Sequence, residues 1–142
     1  MDRIKIYFLT LLLAFFLTKT AISKTNYFAE GQKLFNEKKY SKSKFKFEKD
    51  IVFNPKNEKS YLYLAKIFNE EKNEIMEEQN LNTVILLNPQ NEEAVFLLAL
   101  LKIKKSDYSE SEKLIKNFKK VCKMLCEKEK ELQIKLESLQ PK

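Results

Sequence analysis

The sequence predicts an all-α protein of three stacked helix-turn-helix units and a closing helix, and three observations carry that expectation. A single glycine and three prolines stand in 142 residues dominated by Leu, Lys and Glu, a mix that suits helices and starves hairpins of turn residues. Asn54-Pro55 recurs 34 residues later as Asn88-Pro89, and each pair is followed by an Asn-Glu step, Asn57-Glu58 and Asn91-Glu92. Beyond the last unit Leu132, Leu136 and Leu139 recur at helical spacing among Glu and Lys. A period of this length marks supersecondary units that bury their faces against one another.

Taken in order, residues 1 to 23 read as a secretory signal. Arg3 and Lys5 precede an apolar run from Ile6 to Leu17, and Ala21-Ile22-Ser23 offers the small-x-small pattern of a cleavage site. Lys19 stops the run well short of the ~20 apolar residues a membrane-crossing helix needs. An exported chain is expected, with the bacterial periplasm as its destination.

The domain then fills residues 24 to 142, with units at 24–57, 58–91 and 92–125 and a capping helix at 126–140. Laid out on the 34-residue period, Gly31, Ala65 and Ala99 form one column, Tyr27, Tyr61 and Val95 a second, and Phe47, Leu81 and Ile115 a third. Small residues let the two helices of a unit approach closely, and the bulky columns fill the space beside them. Proline ends the second helix of a unit because it cannot continue one, and the Asn-Glu step supplies a cap and an acid for the next helix start. Unit two departs from the pattern: Glu74 and Glu77 replace Tyr40 and Ser43, which weakens the expected start of its second helix.

These columns resemble the tetratricopeptide repeat (TPR), whose pattern at this length is large, small, aromatic, small and a closing proline. The resemblance implies a short right-handed α-solenoid whose first helices line a concave groove that holds a peptide or protein partner. The matching positions are Phe28, Gln32 and Phe35, then Leu62, Lys66 and Asn69, then Phe96, Leu100 and Ile103. The column Phe28, Leu62 and Phe96 is apolar throughout; it forms either a strip inside the groove or packing between helices. Part of the family grips a C-terminal carboxylate with Lys, Arg and Asn, and the corresponding positions here are Phe28, Gln32, Tyr63, Glu93 and Leu97. That clamp is absent, so apolar recognition is expected.

The chain has no histidine, which removes the usual general base and the commonest metal ligand together. No enzyme, cofactor or metal site is expected, and the carboxylates read as solvated helix faces. The net charge is +7, and residues 24–57 hold nine Lys against four acids. Such a face suits an anionic membrane surface, the alternative reading, whereas export argues against nucleic acid. The expected role is an interaction scaffold in envelope assembly or maintenance.

Cys122 and Cys126 are the two cysteines of a chain expected to be exported, which points to oxidation. Four apart on a continuous helix their Cβ atoms would be ~5–6 Å apart, beyond the ~3.5–4.5 Å a disulfide wants, so a bond requires a turn. The repeat supplies one: Cys122 falls in the column of Asn54 and Asn88, and Lys123 in the proline column.

Overall fold

The computed structural model describes residues 26 to 139, so the expected signal segment lies outside the described residues. Among the described residues seven helices follow one another: α1 Tyr27–Asn36, α2 Tyr40–Phe53, α3 Glu58–Glu70, α4 Glu74–Leu87, α5 Glu92–Lys104, α6 Tyr108–Val121 and α7 Lys128–Leu139. Among the described residues there is no strand, and no helix is long and apolar enough to cross a membrane. Each helix contacts the next in sequence from α1 to α6, and α7 closes the stack against both α5 and α6. This is the all-α solenoid the period predicts.

Local chemistry sets the ends. Asn26, Asn73, Asn91 and Asp107 each accept a hydrogen bond from the backbone N–H three residues on, capping α1, α4, α5 and α6. The second helix of unit two therefore starts cleanly at Glu74 despite its altered sequence, because Asn73 caps it. Pro55 and Pro89 fall in the turns that follow α2 and α4. The third such turn spans Cys122 to Glu127, and the sulfurs of Cys122 and Cys126 stand at bonding distance, 2.11 Å, with Cα atoms 5.1 Å apart. Cys126 and Glu127 stay in that turn, so the closing helix begins at Lys128 and not at 126.

Apolar burial falls into two clusters. The larger joins Leu62, Ala65, Leu81, Val84, Ala99, Phe118 and Leu132, among others, through units two and three and the closing helix. The smaller holds Phe47, Leu64, Ile67 and Phe68, ringed by the half-buried Phe28, Phe35, Tyr40 and Tyr63. Between α2 and α3 the junction is polar: buried Asp50 accepts from Asn54 Nδ2, Asn57 Nδ2 and Ser60 Oγ. The next unit places Val84 at the position of Asp50, inside the larger apolar cluster.

Candidate functional groove

Two adjoining recesses form one groove along the first helices of the units. The larger, about 470 Å³, is walled by Leu97, Leu100, Leu101, Ile103 and Lys104 of α5, with Asn69, Glu77, Lys135 and Leu139 around them. The smaller, about 270 Å³, is walled by Phe35 of α1 and by Ala65, Lys66, Asn69 and Glu70 of α3. Asn69, Glu77 and Leu97 belong to both. The wall follows from helical spacing: Leu97, Leu100, Leu101 and Lys104 lie on one stripe, as do Lys66, Asn69 and Glu70. The far end is closed by α7, so the terminal helix does more than shield the last unit.

Charge in the groove is unevenly matched. Lys66 pairs with Glu93 at 2.6 Å, Lys104 with Glu74 at 2.8 Å and Lys135 with Glu131 at 3.3 Å. Glu77 is buried, and both its carboxylate oxygens accept from one neutral donor, Asn69 Nδ2, at 3.0 and 3.1 Å. Burial raises its carboxyl above the ordinary value, against the opposing pull of that hydrogen bond and of Lys104. Just outside the groove Glu78 joins Lys102 and Lys105 across α4 and α5, and these hydrogen bonds hold its carboxyl below the ordinary value.

The nine positions expected to meet a partner separate into three sets. Phe35, Lys66, Asn69, Leu100 and Ile103 do line the groove, with Ile103 largely covered beneath its surface. Phe28 and Gln32 are engaged within the fold: Phe28 packs on the rings of Phe47 and Tyr63, and Gln32 Nε2 donates to Tyr63 Oη at 2.8 Å. Leu62 and Phe96 are each 7 % exposed and belong to the larger core cluster. The reading of Phe28, Leu62 and Phe96 as a strip inside the groove is therefore corrected to core packing. The physical reason is that a first helix is flanked by its own partner helix and by the neighbouring unit, so it buries more than one face.

Sequence reasoning did not place Glu77, Lys135 or Leu139 in the groove, and weighed Leu97 only as a position of the absent clamp. For Glu77 a signal existed, since an ionisable acid stood in the column of Ser43 and Ser111. Those serines are buried and donate back to a carbonyl, Ser43 Oγ to Gly31 O at 2.8 Å and Ser111 Oγ to Asp107 O at 2.7 Å. An ionised carboxylate has no proton to donate and cannot do that job. Among the described residues no group of three or more acids and cysteines is placed to hold a metal ion.

No family model matches the sequence, and no curated protein matches it. Among solved structures the chain is similar in fold to the first TPR of Spaghetti (RPAP3), solved bound to the HSP90 peptide SRMEEVD, at 18% identity and a TM-score of 0.71, over 80% of this chain and 92% of that one. It is also similar to the TPR2B domain of yeast Sti1, solved in a complex with pHsp70, at 14% identity and a TM-score of 0.73, over 79% and 94%. A third similar structure is the Sgt2 TPR domain from Aspergillus fumigatus, at 14% identity and a TM-score of 0.68, over 82% and 83%. At these identities the likeness establishes a TPR-like fold.

Proposed function

We propose that the chain is an exported scaffold, not an enzyme, that holds a segment of a protein partner in the groove between α1, α3, α5 and α7 during envelope assembly or maintenance. The observation that carries this reading is a continuous concave surface, with Phe35, Leu97 and Leu100 half-buried along it and polar side chains at intervals, the usual make-up of a site that fixes a ligand's orientation. Two of the similar folds were solved with a bound partner, which supports the same use of this groove. The peptide on RPAP3, SRMEEVD, is rich in carboxylates. The clamp positions here, Phe28, Gln32, Tyr63, Glu93 and Leu97, do not suit such a ligand. Export rests on the sequence of residues 1 to 23 and on the cysteine pair, which suits an oxidising compartment.

Affinity capture from an envelope extract tests the reading. Leu100→Glu places a carboxylate on the groove wall without charging a fully buried site, and it is expected to abolish capture with helicity intact. Lys42→Glu, exposed on α2 and outside the groove, is the control and should leave capture unchanged. Loss of capture in the control alone would replace the groove with a basic surface. A second reading has one observation in its favour: Phe45, Val52 and Phe53 are exposed on α2 beside Lys42 and Lys49, a pattern suited to an anionic membrane surface. Salt-sensitive binding to anionic liposomes that is lost with Lys42→Glu would favour it.

A further inference from the structure

We propose that Glu77 makes the groove select a segment that carries a lysine or arginine side chain between apolar residues, and this rests on the groove being a peptide site. Glu77 is 4 % exposed, lies on α4 behind the first helices, and is shared by both recesses at the point where they join. A side chain entering there from an extended segment would have Leu97 and Leu100 to one side and Phe35 to the other.

Charge complementarity names the occupant. The three lysines that line the groove already have carboxylates against them, Glu93, Glu74 and Glu131. Glu77 has instead the single Nδ2 of Asn69 spread over both its oxygens, which leaves about half of its four acceptor positions open. Glu70 adds a second carboxylate to the same recess. A guanidinium could take both oxygens of Glu77 in parallel, and an ammonium could take one, with their aliphatic stems lying on the leucines.

Glu77 does meet the neighbouring helix, but only through Asn69 of α3, and that one amide does not use up its acceptor capacity. Unit one places there a serine that ties α2 to α1 and unit three a serine that bonds within the start of its own helix, whereas unit two places an acid whose ionised form is opposed by burial. A group that works against the fold at one unit of a repeat, and faces a cavity, fits a selective contact better than a packing role.

Blocked seven-residue peptides of alternating leucine and alanine, with arginine, citrulline or glutamate at the centre, provide the probes, read by fluorescence anisotropy on the intact chain. Citrulline keeps the shape of arginine and removes its charge. The arginine peptide is expected to bind ~10-fold more tightly than the citrulline peptide, as befits one charge-assisted contact in a partly desolvated site. Glu77→Gln should remove the preference, so that the arginine and citrulline peptides bind alike. Equal binding of arginine and citrulline to the wild-type chain, or a preference for glutamate, would overturn the proposal without any variant. If citrulline still binds and Leu100→Glu removes it, the groove survives that failure; if no peptide binds, both readings fall.

Discussion

Gly31 sits within α1 with no left-handed φ, so what it provides is space. A Cβ there would lie 2.8 to 3.0 Å from three atoms of the Phe47 ring. That ring is fully buried and held by Phe28 and Tyr63, with centroids 5.8 and 4.9 Å away, so it has little room to retreat. Gly31→Ala gains about 1 kcal/mol in helix propensity but overpacks at a cost of about 1–3 kcal/mol, and net destabilisation is expected in a denaturant melt. A variant as stable as the parent would show that the ring can yield. Glu77 gives a residue-scale test of opposite sign. Its folded carboxyl titrates above the ordinary value, so through that window the folded state holds the proton longer than the unfolded one, and this group's contribution to stability falls as pH rises. Lys104 and its partner Glu74 are the charged neighbours that modulate it. Thermal melts of Glu77→Gln and the parent should coincide below about pH 3, where the carboxyl is protonated in both states, and the variant should melt higher above the carboxylate range. A variant that melts lower at neutral pH would mean that the ionised form is stabilised where it sits.

At the scale of elements, the turns between the two helices of each unit share a device that the sequence conceals. Lys38, Lys72 and Ser106, spaced by the same 34 residues, have φ of 56°, 57° and 58°. Each lies just past the end of a first helix and donates to a carbonyl three residues back, Lys38 N to Phe35 O at 2.8 Å and its equivalents to Asn69 and Ile103. Glycine is the residue that flags such a turn, and the single glycine, Gly31, stands elsewhere, so the turns were not legible, whereas the proline turns and the Asn91 cap were; Asn57, also expected to cap, makes no capping bond and donates its side chain to Asp50 instead. Lys38→Gly, Lys72→Gly and Ser106→Gly should each relieve strain and stabilise the fold by up to about 1 kcal/mol, read by denaturant melts. Destabilisation by all three would contradict the backbone described here. The third unit-ending turn was legible in outline from its cysteines, but its docking was not. Pro55 and Pro89 have no N–H, whereas Lys123 in that column donates to Glu92 Oε2 at 2.6 Å, joined by Met124 and Leu125 N–H at 3.0 and 3.2 Å. These bonds hold the Glu92 carboxyl below the ordinary value. The contribution of Glu92 is therefore present above the ordinary carboxylate range and lost as pH falls through it. Closing so short a loop with a disulfide contributes about 2 kcal/mol by chain entropy. Reduction should lower the melting temperature and free α7, which carries Lys135 and Leu139 of the groove, and Glu92→Gln should enlarge that effect under oxidising conditions too. Hydrogen exchange over 128–139 checks it, and unchanged protection after reduction would mean that α7 docks without the loop.

Over the whole molecule, the period and the small-residue column were enough to order the helices, because stacking repeats is the one way such units bury their apolar faces. They could not separate groove from core on the first helices. The α5 sequence from Glu92 to Lys104 is apolar nearly all round, so Leu97 and Leu100 on the groove and Phe96 and Leu98 in the core carry the same signature, and burial was decided by neighbours distant in sequence. Stability is distributed just as unevenly. Among the described residues Phe47 is the one buried apolar side chain that α1 and α2 contribute; the rest of their packing is half-buried, mostly aromatic, side chains with Ile51, and the polar Asp50 junction. Units two and three and α7 share the larger cluster. In a stack that interacts between nearest neighbours, the end unit with the least burial should open first. Phe47→Ala removes about 3–5 kcal/mol of packing, more than a unit so constituted can spare, and α1 and α2 should lose hydrogen-exchange protection together while α5 and α6 keep theirs. Phe118→Ala, in the larger cluster, should instead lower protection throughout. If Phe47→Ala lowers protection equally from α1 to α6, the stack unfolds as one body, and the two clusters are one cooperative core joined across α3, which contributes Leu62 to one and Leu64 to the other.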